Sequence, residues 1–508
     1  MKYFAEIIRI LDRFREPRIE TVDTKFRSRK DEKSYRLYEG IHNGTFQHDS
    51  AAASALYESG TTDTRYSTLK TRLNIRLLNS LFHLNLKRAG FSESAQAYYT
   101  VHKKAFLVHT LLMLDARSSG IKIAKRVLDL SLYYHFVDVT LEMAILLRTH
   151  AGVIGKIAMY EEYDRLVKKT FRTFEAECIS REFFGRAQLI FMHKAGSKRE
   201  YVGQFESYVE QLKTMLNDDS SFTFRLNYYR LLSRSLVVSG KFREHIAACD
   251  EAISYLRNMP HLAQKMRIGE FSLQKLDSYI AIHNYEMAEQ TAKECASLFG
   301  WSSNNWFAFA VSNFSLYTNM LNFARANEFY LEVTQHERYA LQSEIYKEYW
   351  TIFELYLHYA LRRMPEYETM EIRKRFDPAK FLGMTPVAAK DKHGLNVALL
   401  IMQILYMLDM RNFDGIIDRM EALGTYRSRY LTAGANRRSG LFFKLLRIME
   451  NNSFNYTLCL KKGERYYQEL LIQREEAVDS DQELQILPYE WLWERVLERL
   501  KEYEGRSV

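Results

Sequence analysis

The sequence predicts an all-α chain: an α-solenoid of stacked antiparallel helix pairs preceded by a small basic helical region. Three observations carry that expectation. The 508 residues include only six prolines and 21 glycines, and no proline falls between Pro17 and Pro260, so the commonest helix breaker is missing from half the chain. Aromatic residues reach 14%, mostly Tyr and Phe, and they recur beside Leu, Ile and Met at helical spacing rather than in alternating runs. An aromatic residue also recurs beside turn-forming residues about every 41 positions.

The first section, residues 1–90, differs from the rest in charge. Its 17 Lys/Arg against 11 Asp/Glu give +6, leaving +3 of the total +9 for the other 418 residues. The opening MKYFAEIIRILDRFREPR interrupts its apolar residues with Glu6, Arg9, Asp12 and Arg13, so it reads as a short amphipathic helix without the apolar core of a secretory signal. Asp49-Ser50 is placed to cap a short helix from Ala51 to Tyr57, and the turn Glu58-Ser59-Gly60-Thr61-Thr62 follows. A longer helix then starts near Asp63, carrying Arg65, Tyr66, Lys70, Arg72 and Arg76 together with Leu69, Leu73, Leu77, Leu78 and Leu81. Short helix, turn and basic amphipathic helix have the outline of a helix-turn-helix, and Arg65, Arg72 and Arg76 share a face as candidate nucleic-acid contacts, with Lys70 off it. The same charges suit the solvated surface of a terminal cap on a helical array.

Residues 91–470 hold the repeat. In 225–259, Tyr229, Leu232 and Leu236 fall on a first helix, Gly240-Lys241-Phe242 on a turn, and Ile246, Ala252, Ile253 and Leu256 on a second helix that Pro260 closes. Ala247, Ala248 and Ala252 are small enough to admit a neighbouring helix. The turn aromatic is followed through Tyr160, Tyr201, Phe242, Tyr285, Phe323, Tyr367, Phe413 and Phe454, at separations of 41, 41, 43, 38, 44, 46 and 41. The turn texts agree in kind: Ser239-Gly240-Lys241-Phe242, His283-Asn284-Tyr285, Leu321-Asn322-Phe323 and Arg411-Asn412-Phe413. One further step back lands near Ile121, after Ser118-Ser119-Gly120, with no aromatic to mark it.

With its Tyr-rich first helices, Gly-Lys-Phe or Asn-Phe turns and Ala-rich second helices, the segment from about 225 to 340 resembles tetratricopeptide-type helical repeats, at a longer period than that family's 34 residues. The resemblance implies an interaction scaffold with a concave groove. Arg373 to Gly394 holds two prolines and six Lys/Arg and reads as a basic loop interrupting the array. In the last section, 471–508, Glu475 to Glu483 is acidic and polar, and Pro488 opens a final helix bearing Trp491, Leu492, Val496 and Leu500 that seals the last repeat.

The motifs of common chemistries are missing. Gly152-Val153-Ile154-Gly155-Lys156 lacks both the spacing and the hydroxyl residue of a phosphate loop, and no GxGxxG, GxSxG or HExxH occurs. His102 and His109 lie two helical turns apart with no carboxylate pattern near them in sequence to complete a metal site. Glu161-Glu162, Asp218-Asp219 and Glu475-Glu476 point in different directions on a helix and read as solvated pairs. Cys178, Cys249, Cys295 and Cys459 form no CxxC pair and suit a reducing cytoplasm. The most apolar stretch, Val397 to Met410, contains Gln403 and Asp409 and is too short to cross a bilayer.

The expected function is therefore non-catalytic, with no cofactor or metal: a cytoplasmic scaffold whose helical-repeat groove, lined by Tyr, Asn and Arg, binds a protein or peptide. The alternative is a regulator that binds nucleic acid through residues 34–90 and uses the helical array for sensing or dimerisation. An enzyme-associated role rests on no positive feature.

Overall fold

The computed structural model describes residues 1–14, 32–87, 91–193, 199–301, 303–370, 372–373, 377, 381–383, 395–430, 437–476 and 485–505. Among them there is no strand, and 21 α-helices follow one another. They are α1 (Lys2–Phe14), α2 (Glu32–His42), α3 (Asp49–Tyr57), α4 (Thr64–Ser80), α5 (Glu93–Met113), α6 (Arg117–Tyr133), α7 (Val137–Val153), α8 (Ile157–His193), α9 (Val202–Met215), α10 (Phe222–Val238) and α11 (Phe242–Arg257). Then come α12 (Lys265–Ala281), α13 (Tyr285–Leu298), α14 (Asn304–Asn319), α15 (Phe323–Thr334), α16 (Glu344–Leu361), α17 (Leu395–Asp409), α18 (Phe413–Tyr430), α19 (Arg437–Asn451), α20 (Tyr456–Glu476) and α21 (Tyr489–Gly505). The chain forms two compact units, 1–174 and 175–508, that divide inside α8. No helix among the described residues is long and apolar enough to cross a membrane.

In the first unit, α1 to α4 bury Phe4, Ile8, Leu11, Leu37, Leu56, Tyr66, Leu73 and Leu77 in a core of their own. The helix pair expected from the sequence is present: α3 ends at the left-handed Glu58, and Asp63 caps α4 by accepting a hydrogen bond from the Arg65 N–H. Helices α5 to α7 and the start of α8 pack around Val101, Val108, Val127, Met143 and Leu147. His102 and His109 on α5 each face a carboxylate of α7, Asp138 at 4.0 Å and Glu142 at 2.6 Å, as two separate pairs. No group of three such residues among the described ones is placed to hold a metal.

One turn chemistry connects most hairpins. At Asp115, His135, Gly155, Gly240, His283, Leu321, Arg411 and Ser453 the backbone enters the left-handed region, with φ between 51° and 70°. In each, the next N–H bonds back five residues, as Lys241 does to Leu236 O at 2.9 Å and Asn322 to Tyr317 O at 3.0 Å, and one or two residues later a new helix begins. This is the Schellman stop, and its two-residue linker forces the chain to reverse. Asn284, Asn322, Asn412 and Asn455 supply the side-chain oxygen that caps the next helix, at 2.9 to 3.2 Å from the third N–H beyond. The recurring Asn-aromatic dipeptide is thus a cap followed by the first residue of a helix. Gly155, the glycine of the phosphate-loop look-alike, is simply one of these left-handed positions.

The eight ladder aromatics fare unequally. Phe242, Tyr285, Phe323 and Phe413 are first residues of helices, Tyr201 immediately precedes α9, and Tyr160 lies in the first turn of α8. Phe242 is buried, whereas Tyr160 is 42% exposed. Phe454 sits within its turn at φ 60°, so the helix-starting aromatic there is Tyr456. Tyr367 opens a short 3-10 turn after α16 and is buried. The interval from Tyr160 to Tyr201 is taken up by the rest of the single 37-residue α8, not by a hairpin. In the first unit the tight turn recurs about every 20 residues, at 115, 135 and 155, because both connections of each pair use it. On α10 the buried stripe is Phe224, Tyr228, Leu231 and Val238, beside the expected Tyr229, Leu232 and Leu236, which are half-buried, and Ala247 is exposed while Ala248 and Ala252 are buried. The expected basic loop at 373–394 and acidic stretch at 475–483 lie almost wholly outside the described residues.

The apolar stretch near 400 is α17, whose residues from Asn396 to Leu408 are all buried in the second unit's core. The final helix does more than seal one repeat. Along its length Trp491 meets Phe323 (5.3 Å) and Tyr359 (6.4 Å), Glu498 pairs with Arg363, Arg499 with Asp409 (3.0 Å), and Tyr503 meets Phe413 (6.3 Å). Glu504 accepts from the Tyr456 N–H at 2.8 Å. Helix α21 therefore runs across the starts of α15, α18 and α20, and the ladder aromatics are part of its seat. Its own start is pinned by Glu490, which takes Arg438 at 2.6 Å and Arg474 at 2.8 Å.

Candidate functional site

The candidate nucleic-acid contacts of α4 do not form a row of uncommitted charge. Arg65 is exposed, but its guanidinium is held by Asp63 (Nη2 to Oδ2, 2.7 Å) and lies 5.2 Å from the Tyr57 ring. That contact keeps the Asp63 carboxyl far below the usual carboxylate range. Arg72 is exposed, Arg76 is half-buried and already engaged, and Lys70 pairs with Asp49 at 2.7 Å.

A nucleophile-like arrangement occurs inside the second unit. His245 on α11 has Nε2 2.8 Å from Ser233 Oγ and Nδ1 2.6 Å from Ser278 Oγ, with Cys249 Sγ 3.5 Å from Nε2. Ser233 also donates to Gln274, so its oxygen accepts from Nε2–H and Ser278 donates to Nδ1. Burial lowers the His245 pKa to about 4, and the ring is 1% exposed. Both ring nitrogens serve packing: they tie α10, α11 and α12 together by buried, fully engaged polar groups.

The unusual chemistry lies beside this network, where α8, α10 and α12 come together. Arg230 and Arg234 are one turn apart on α10, and Arg267 and Glu270 are three apart on α12, so each pair shares a face. Arg230 grips Glu270 through Nε (2.8 Å) and Nη2 (2.5 Å), a bidentate pair. Arg234 lies over Phe184 at 4.6 Å and Phe191 at 5.1 Å, and its Nη1 is buried without a hydrogen-bond partner among the described residues. Arg267 lies over Phe222 at 4.9 Å. Arg225 completes the group, over Tyr255 at 5.4 Å and donating to Asn217 O at 2.6 Å. Arg230, Arg234 and Arg267 thus share one glutamate, Glu270, an excess of +2.

Burial, followed by the like charge of Arg230, pulls the pKa of Arg267 down, and burial does the same to Arg234. Glu270, already gripped by Arg230, acts on Arg234 and Arg267 only at a distance, so these half-buried guanidiniums are incompletely compensated, and a cation–π contact returns only about 0.5–2 kcal/mol. Groups held in that state concentrate where a ligand completes them. None of these arginines stands out in sequence: Arg225, Arg230 and Arg234 are spaced along one mixed helix, and the rings that cover Arg230 and Arg234 lie some 40 residues upstream. No protein-family model, no curated protein and no solved structure matches the chain.

Proposed function

We propose that this protein is a non-catalytic binding scaffold, a distant relative in architecture of tetratricopeptide-type arrays, that holds a peptide segment of a partner protein on successive first helices of its second unit. One observation carries the reading: Arg234 and Arg267 are half-buried, lack an ion-pair partner among the described residues, and lie where three helices meet. Helical hairpins stacked in series expose one helix of each pair as a continuous recognition surface, which suits an extended or helical peptide. The nucleic-acid reading has less support, because Arg65 and Lys70 are already neutralised by Asp63 and Asp49.

A display selection with random 15-residue peptides against the full chain tests the proposal. Convergent sequences that compete with one another for one site are expected. Enrichment no better than on an unrelated all-helical protein would sink the scaffold reading.

A further inference from the structure

Resting on the scaffold reading, we propose that the partner segment is acidic, and that Arg234 and Arg267 each take a carboxylate of that segment beside the built-in Arg230–Glu270 pair. The patch itself shows the fit. Glu270 already binds Arg230 with both oxygens, so a carboxylate is accommodated at this depth and in this geometry. The charge excess is positive and compact, matching two carboxylates rather than the long track of phosphates that a nucleic-acid strand presents.

The aromatic rings argue the same way. Binding of single-stranded nucleic acid relies on open ring faces for base stacking. Here Phe184, Phe191 and Phe222 carry guanidiniums at 4.6, 5.1 and 4.9 Å from their centroids.

Glu270 then has a second role. As the carboxylate resident in the site it holds Arg230 away from the incoming segment, so removing its charge strengthens binding while removing either free guanidinium weakens it. Opposite signs from neighbouring substitutions are not what a purely structural patch gives.

The test measures fluorescence anisotropy of the full chain with four labelled probes: five repeats of Glu-Glu-Gly, the same peptide with Gln for Glu, with Lys for Glu, and a 15-nucleotide oligothymidylate. The Glu peptide is expected to bind, at least tenfold more weakly at 200 mM than at 50 mM salt. Arg234→Met and Arg267→Met should each weaken it by tenfold or more, and Glu270→Gln should tighten it severalfold. Circular dichroism and melting confirm that each variant is folded, and Arg234→Lys, which keeps charge but loses the fork, should lose most of the affinity. Equal binding of the Gln or Lys peptide, or Glu-peptide binding indifferent to both Met variants, overturns the inference. Tighter binding of the oligonucleotide that vanishes in the Met variants also overturns it, in favour of phosphate recognition. If the display selection yields convergent peptides that are not acidic, the inference fails and the scaffold reading stands; if it yields none, both fail.

Discussion

Replacing Glu490 with Ala is expected to destabilise the second unit by about 3–5 kcal/mol, because it strips a buried carboxylate from two arginines at once. Glu490 is 4% exposed by its side chain and Arg438 only 13%, so neither Arg438 nor Arg474 regains full hydration when the carboxylate leaves. Glu490 also lies in the first turn of α21, where the helix dipole favours a negative charge. The loss extends beyond one ion pair, since α21 is the helix seated on the starts of α15, α18 and α20. Urea denaturation reads the effect directly. The double variant Glu490→Ala, Arg438→Met should recover a large part of the loss, because it removes the uncompensated charge as well. A cost below about 1 kcal/mol would mean that α21 is held without this contact.

Acid should destabilise the second unit between about pH 6.5 and pH 4 through its buried histidines, with Asp277, raised to about 6 by burial, offsetting part of the loss. His245, His283 and His358 are lowered from 6.5 to about 4, 4 and 3, in each case first by burial, with the Arg474 charge acting next on His283 and the Arg362 charge next on His358. The folded state keeps all three neutral while the unfolded chain protonates them near pH 6.5, so the unfolded state binds more protons in between. Their contribution to stability is complete above about pH 6.5 and is lost as the pH falls towards 4. Near pH 5 each histidine accounts for about 1 kcal/mol per pH unit, or about 3 kcal/mol per unit together. His245→Gln should reduce that slope by roughly a third. A denaturation midpoint unchanged between pH 7 and pH 4.5 would contradict the buried neutral state of these rings.

Much of the fold is legible because its turns have a local cause. Gly240 is a left-handed stop, Asn322 and Asn412 are caps, and each is followed by an aromatic that begins a helix, so the turn can be read within five residues. Left-handed Asp115 and His135 are followed by no Asn cap, and a β-carbon there is tolerated at a cost of about 1 kcal/mol only because packing fixes the hairpin. That is why the turn at His135-Phe136 does not show in the 41-residue spacing and why the unbroken α8 does not betray itself between Tyr160 and Tyr201. The seat of α21 is illegible for a different reason. Trp491 and Phe323 are 168 positions apart, and no periodicity relates a helix to the turns it crosses. The Arg234 and Arg267 cluster shares that difficulty, because a helix with two arginines four apart is ordinary until Phe184, Phe191 and Phe222 are brought over them.

If Arg234 and Arg267 await a carboxylate ligand, as proposed, they are kept charged at the expense of the fold. Thermal melting of the Arg234→Met, Arg267→Met double variant without ligand tests this most directly. Methionine preserves the apolar stem and removes the half-buried charge, so the double variant should be more stable by roughly 1–2 kcal/mol, a rise of about 2–4 °C in melting temperature. A fall in melting temperature would show that the two guanidiniums hold the helices together and are not waiting for a partner.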